Sequence, residues 1–350
     1  MLLYLLTFVL ALSLALYGVP LARRAALRFN VVDRPDGRLK RQTEPIPYFG
    51  GLVVYLAFLI SLALTFEFRQ DVLGLVLGGT LMVMLGLIDD FGVLTPGPKL
   101  IGQLIAVFVL IRSGIRIEIA AFPEWLDLAL TVVWMVGIIN AMNIIDVMDG
   151  LAGGVSVVAC FWLFVVAVVN QDMMVAVMVS ALAGSLIGFL RYNFHPASIY
   201  LGDAGSLFVG LMLGALAMIG KYTAVNPAAL LAPVLILGVP VFDTFFVIYI
   251  RLMRGVPVFW GSPDHFALRL RHWRLRVPQV MLVSYGGAFL LGGLGVLSMF
   301  VSLGVAAGLI GLAAILALVA ALWLKRIDMS RPPEGARLPD SAPESARRLP

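Results

Sequence analysis

Five groups of polar residues interrupt an otherwise apolar chain: Asp33-Arg34-Pro35, Asp89-Asp90, the stretch 143–149, Gly202-Asp203-Ala204-Gly205-Ser206, and Asp264-His265. Carboxylates are costly near hydrocarbon, so their concentration in a few short stretches points to a built site. Converging carboxylates offer hard oxygen ligands to a divalent ion such as magnesium. Basic side chains and helix N-termini beside them offer partners to phosphate. The residue types therefore predict chemistry on phosphate groups assisted by a cation.

Each group has a functional reading and a plainer one. Asp89 and Asp90 close an apolar stretch and precede Lys99. A helix C-terminus carries partial negative charge, so an acidic pair there costs energy unless a cation offsets it. A solvated helix end is the plainer reading. The DDxxD signature of prenyl-diphosphate enzymes fails, because position 93 is Val. Asn140, Asn143, Asp146 and Asp149 recur every three residues. On a helix that row drifts by about 60° per step. Asn143 and Asp146 share a face, as do Asp146 and Asp149, whereas Asn140 and Asp149 do not. Gly150, Gly153 and Gly154 then let a ligand approach the backbone. In the run 202–206, Asp203 or Ser206 suits an N-cap, and the same helix start suits an anion. Beside the other clusters, Asp203 is expected to ligate magnesium. Asp243 lies inside a span after Pro240 and reads as a buried polar contact or a catalytic group. His265, Arg269, Arg271 and His272 sit in a basic loop that meets anionic lipid or binds substrate phosphates. His195, before Pro196, reads as loop structure.

The elements that must position these groups are membrane helices. The chain has 350 residues, 61% hydrophobic and 13% charged, with a mean hydropathy of +1.01. Soluble domains carry roughly 25% charged residues. Lipid cannot satisfy free backbone groups, so the spans must be helical. The reading is an all-α integral membrane protein, a polytopic bundle of about eleven transmembrane helices. They are placed at 2–21, 50–66, 72–88, 100–114, 128–144, 155–170, 173–190, 206–220, 228–250, 279–301 and 303–324. Residues 1–21 read as a retained span, lacking a charged start and a small-residue cleavage site. Twenty-one of the 25 Lys and Arg fall in one alternating set of loops and the tail. The positive-inside rule then puts the N-terminus outside and the C-terminus in the cytoplasm. It also puts loops 22–49, 89–99, 145–154, 191–205 and 251–278, with all five polar groups, on the cytoplasmic side. The catalytic domain is a single unit over 1–328, and the polar tail 329–350 is expected to be disordered. The alternating stretch 115–119 suits a short strand. The net charge of +5 follows from topology, so no nucleic-acid partner is implied. Cys160 reads as a buried hydrophobe. No internal repeat is visible.

In order, the chain carries Val32-Asp33-Arg34-Pro35-Asp36 with the stretch Pro47 to Gly51, then Leu87-Ile88-Asp89-Asp90 with Lys99 and Gln103. Asn140-Ala141-Met142-Asn143-Ile144-Ile145-Asp146 with Asp149-Gly150 follows, then Leu201-Gly202-Asp203-Ala204-Gly205-Ser206 and Pro240-Val241-Phe242-Asp243-Thr244. This ordered set resembles the polyprenyl-phosphate N-acetylhexosamine-1-phosphate transferase superfamily. That superfamily includes N-acetylglucosamine-1-phosphate transferases and the phospho-MurNAc-pentapeptide translocase. The resemblance implies ten or eleven helices in the bacterial inner membrane, an active site facing the cytoplasm, and a homodimer. It implies transfer of a sugar-1-phosphate from a UDP-N-acetylhexosamine to polyprenyl phosphate, with release of UMP. It makes Asp203 a magnesium ligand, with Asp89 and Asp90 as further candidates and manganese as the alternative ion. It sets Asp89, Asp90, Asp146 and Lys99 in the chemistry. Asp33, Asn143, Asp149, Gly202, Asp264, His265, Arg269 and Arg271 are then the substrate-binding candidates. Direct attack by the lipid phosphate is favoured over an aspartyl-phosphate intermediate, because a phosphate monoester with a second pKa near 6 is already largely dianionic. The family's histidine-rich last loop is reduced here to His265, which argues against the peptidoglycan branch and favours UDP-N-acetylglucosamine.

Two other function classes compete. A transporter or flippase needs ionisable groups at mid-span, and only Asp243 qualifies. A CDP-alcohol phosphotransferase needs a spaced signature that Asp149-Gly150 only begins.

Overall fold

The computed structural model describes residues 2–29, 32–33, 46–67, 70–92, 94–257 and 264–329. The Arg34-Pro35 part of the first polar group and the tail from 330 lie outside them. Thirteen α-helices carry the described chain. They are α1 (Leu2–Arg28), α2 (Gly50–Thr65), α3 (Gln70–Asp90), α4 (Pro96–Arg112), α5 (Glu124–Ile145), α6 (Leu151–Val169) and α7 (Met173–Asn193). After them come α8 (Gly202–Ile219), α9 (Ala232–Ile236), α10 (Gly238–Arg254), α11 (Phe266–His272), α12 (Val277–Ser298) and α13 (Leu303–Lys325). Among the described residues the only strands are β1 (Val32–Asp33) and β2 (Ile46–Pro47), which pair antiparallel.

Eight helices are long and apolar enough to cross a membrane, or nine if the pair on either side of Leu237 is one span bent by 79°. This is a polytopic, all-α membrane protein. Of the other two expected spans, α2 has 16 residues and α4 has 17. The expected strand at 115–119 does not form. Its N–H groups go to side chains of α5 instead: Ile117 donates to Thr131 Oγ1 at 2.9 Å, and Ile119 to the Asp127 carboxylate at 3.3 Å. With those donors engaged and no neighbouring strand among the described residues, the alternation has no ladder to join. Cys160 is fully buried, as expected of a small hydrophobe.

The centre of the bundle is α8. Apart from Asp203 its first sixteen residues are buried, and it packs against α2, α3 and α5. A helix apolar on every face suits such a position. Small residues bring its neighbours close. A Cβ on Gly210 would lie 2.8 Å from the Ile139 Cα of α5, and one on Gly214 would lie 3.3 Å from Met135 Sδ. On the α3 side, a Cβ on Gly86 would stand 2.3 Å from Ala204 backbone atoms. On the α2 side, a Cβ on Gly51 would stand 2.1 Å from the Gly205 nitrogen. These contacts fix α5 and α3 antiparallel to α8. Followed to the start of α8, they carry Asn143 and Asp89-Asp90 to Asp203.

At Gly51 and Gly86, where a Cβ would meet backbone atoms at 2.1–2.3 Å, the packing leaves no room for a methyl. Gly51→Ala should destabilise the fold by about 1–3 kcal/mol, the range for overpacking. Gly286→Ala meets nothing within 4 Å and should be silent. Thermal unfolding of the detergent-solubilised protein checks both.

Candidate functional site at the helix ends

The acidic pair at the end of α3 divides its labour. Asp90 turns onto the start of α8, where its two carboxylate oxygens accept the Asp203 N–H at 2.7 Å and the Ala204 N–H at 3.2 Å. A helix N-terminus leaves its first N–H groups unpaired and partly positive, so a carboxylate belongs there. The energy that Asp90 would cost at the C-terminus of its own helix is offset at the N-terminus of another. Gly202 makes room: its φ is +71°, and a Cβ would lie 2.8 Å from Asp90 Oδ2. The anion expected at this helix start is thus an internal carboxylate, and Gly202 faces that carboxylate.

Asp89 points the other way. Its carboxylate pairs with the Lys99 ammonium at 2.6 Å. Lys99 also donates to the Asn143 amide oxygen at 2.9 Å and lies 3.5 Å from the Asp203 carboxylate. Because an ammonium can only donate, it holds the oxygen of Asn143 towards itself. The amide nitrogen of Asn143 then donates to Asp203 and, at 2.9 Å, to Ser206 Oγ. Four helices, α3, α4, α5 and α8, meet in this knot. Lys99 and Asp89 keep part of their side chains in solvent, and a third of the Asp203 side chain is exposed.

Asp146 caps α5 beside this knot, and among the described residues its carboxylate has no hydrogen bond or ion pair. Burial, reinforced by the charges of Asp203, Asp90 and Asp149, pushes its carboxyl up to about 8. The set of oxygens fits a hard cation. Asp89, Asn143 and Asp203 already direct oxygens at one positive group, the Lys99 ammonium. No cluster of three or more His, Cys, Asp or Glu side chains placed to hold a metal occurs among the described residues. Magnesium is commonly held by one or two carboxylates together with phosphate oxygens, which this donor set allows.

The remaining candidates lie elsewhere. Asp149 binds the connection between α7 and α8, accepting the Ala197 N–H at 3.1 Å and pairing with His195 Nδ1 at 2.8 Å. The same layer is held by Asn193, which accepts the Gly150 N–H and donates to the Ile199 carbonyl. Tyr285 closes it from α12 with a 2.6 Å bond to the Gly150 carbonyl. Asp264, His265 and Arg269 are buried and joined internally. Asp264 pairs with Arg269 at 2.7 Å and with Arg254 at 2.9 Å. Arg269 reaches the Leu324 and Ile327 carbonyls at the end of α13. His265 Nδ1 meets Asp243 at 2.8 Å, and Asp243 also accepts the Phe266 N–H at the start of α11. Asp243 is therefore a buried polar contact. Arg271 is exposed. The backbone of Asp33 lies in β1, and its side chain is outside the described residues. Ser206, read as an N-cap candidate, instead accepts from Asn143, while Asn193 and Tyr285 carry contacts that residue type alone did not single out.

These placements separate groups committed to internal contacts from groups left partly in solvent. Asp90→Ala strands two N–H groups and should cost about 1–3 kcal/mol of stability. Arg269→Leu removes a charged partner from the buried Asp264 carboxylate and should cost about 3 kcal/mol or more. Arg271→Leu on the exposed face of α11 should stay within about 0.5 kcal/mol of the parent. Thermal or denaturant unfolding reads all three.

The sequence profile described as Glycosyl transferase family 4 matches residues 72–221, the segment that holds α3 to α8. The chain is 31% identical over 287 residues to a probable undecaprenyl-phosphate N-acetylglucosaminyl 1-phosphate transferase of Bacillus subtilis, covering 79% of this chain and 80% of that protein. It is 34% identical over 297 residues to a phospho-N-acetylmuramoyl-pentapeptide-transferase of Halalkalibacterium halodurans, covering 77% and 88%. It is 30% identical to a decaprenyl-phosphate N-acetylglucosaminephosphotransferase of Mycolicibacterium smegmatis, covering 91% and 86%. With relatives at this identity along most of both lengths, the chain belongs to glycosyl transferase family 4.

Proposed function

We propose that this protein transfers N-acetylglucosamine-1-phosphate from UDP-N-acetylglucosamine to a polyprenyl phosphate, releasing UMP. The observation that carries this is the convergence of Asp89, Lys99, Asn143 and Asp203 from four helices, with the unengaged Asp146 beside them. The names of the relatives supply the substrate class. The reaction takes place at the cytoplasmic face of a bacterial inner membrane, with eleven spans and the C-terminus inside, in keeping with the bias of Lys and Arg to one set of loops.

Two anionic reactants must meet, so the site must offset their repulsion. A phosphate oxygen of the lipid attacks the sugar-linked phosphorus of the donor. A new P–O bond forms there as the bond to the UMP oxygen breaks, and UMP leaves with that electron pair. The acceptor needs no strong base, since its second pKa is near 6. Lys99 supplies positive charge beside the phosphates. Asn143 holds Asp203 in place, and Asp146 stands free to bind the ion or orient the acceptor. Asp203 and Asp89 are the ligands proposed for magnesium, which when bound would neutralise diphosphate charge and polarise the phosphoryl oxygens. Asp90 acts through α8, by holding Asp203 at the helix start.

Purified protein with undecaprenyl phosphate, magnesium and a panel of UDP-sugars should release UMP from UDP-N-acetylglucosamine only when the lipid is present. Chelation with EDTA should stop the reaction. Asp203→Asn and Asp146→Asn should each lower turnover by at least about 100-fold, the scale for losing transition-state electrostatics. Their unfolding midpoints should stay near that of the parent. Lipid flux without UMP release, or release of CMP from a CDP-alcohol instead, refutes the assignment.

A further inference from the structure

Polar groups at the depth of a span have a cost unless they find each other. One turn below the Lys99–Asn143 pair, α4 and α5 carry a second pair of this kind. Gln103 is 1% exposed. Its amide donates to the Asn140 oxygen at 3.3 Å, and the Asn140 amide returns a bond to the Gln103 oxygen at 2.8 Å. Asn140 also donates to the Val136 carbonyl of its own helix at 2.8 Å. Each amide therefore both gives and accepts, and each can do so in one orientation only.

The geometry is a two-rung ladder. Lys99 and Gln103 are four apart on α4, on one face. Asn143 and Asn140 are three apart on α5, which runs the other way. Hydrogen bonds act over a few tenths of an ångström, so the lower rung sets how far α4 can slide along α5. A slide or roll of α4 would carry Lys99 away from Asn143, and Asn143 would lose the donor that orients its amide towards Asp203 and Ser206. Among the described residues, no other hydrogen bond of Gln103 or Asn140 reaches the knot.

We infer that Gln103 and Asn140 form a positioning clasp that holds Lys99 in register with Asn143 and Asp203. This rests on the proposed transferase reaction for its effect on turnover, and on geometry alone for its effect on Lys99.

The single variant Gln103→Leu leaves the Asn140 amide oxygen without its donor and is expected to unfold part of the population, so pairs of substitutions make the test. Replacing both partners of a buried hydrogen bond by apolar groups is close to neutral for stability. Gln103→Leu with Asn140→Leu should therefore keep the unfolding midpoint yet lower kcat by about tenfold or more, as expected when a reacting group is displaced. KM for the UDP-sugar should move much less. The exchanged pair, Gln103→Asn with Asn140→Gln, should recover most of the turnover. A second readout is independent of activity. Acetylation of Lys99 by acetic anhydride, followed by peptide mass spectrometry with exposed Lys221 as the internal reference, should be several-fold faster in the apolar pair than in the parent or the exchanged pair. Parent-like turnover and parent-like Lys99 labelling in the apolar pair would overturn the clasp. So would a loss of turnover that only tracks a loss of folded protein. If the parent itself releases no UMP, the transferase reading fails, and Lys99 labelling alone decides the clasp.

Discussion

The carboxylate of Asp90 on the first N–H groups of α8 is the contact from which the rest of the site follows. It joins the C-terminus of one helix to the N-terminus of another, where the two partial charges would otherwise each stand exposed to the wrong neighbour. Once it forms, Asp203 is held at the mouth of α8 and Asp89 is turned towards Lys99. The glycines at 86 and 202 permit the approach, and no larger residue would.

Around that junction the molecule sorts its charges into two kinds. In the Asp243–His265 and Asp264–Arg269 pairs, every carboxylate is buried against a partner, and the groups fasten α10, α11 and the end of α13 together. At the junction of α3, α4, α5 and α8, the oxygens remain partly in solvent and share a single ammonium. The first arrangement suits a hinge-free scaffold. The second leaves oxygens and an ammonium open to solvent, as the proposed binding of an ion and phosphates requires. Residue type alone does not separate them, because both contain aspartates beside basic side chains.

Much of the architecture was legible in advance. Hydropathy marked where the apolar helices lie, since lipid leaves the backbone no other choice. The run 202–206 was legible as a helix start with anion-binding capacity, and the anion proved to be internal. The strand expected at 115–119 was not formed, because alternation along a segment says nothing about a neighbour to pair with. Of the Asn140, Asn143, Asp146, Asp149 row, only Asn140 and Asn143 lie on α5, which ends at Ile145, so the helical face expected to join Asp146 and Asp149 does not form: Asn143 joins the knot, Asn140 faces Gln103, and Asp149, in the turn beyond the helix, binds the 195–197 connection. The spacing was readable, but neither the point where the helix stops nor the partner of each residue was.

From residue order alone came the membrane class, the helical segments, the family pattern and the short stretches rich in carboxylates, all of which depend on local composition and spacing. The division of Asp89 from Asp90, the enclosure of Asp264 and Arg269, and the meeting of Lys99 with Asn143 and Asp203 came only from tertiary structure. Those outcomes depend on which helix lies against which and in what register. That is settled by small residues such as Gly51, Gly86 and Gly210 letting backbones touch, an energy shared between segments far apart in the chain.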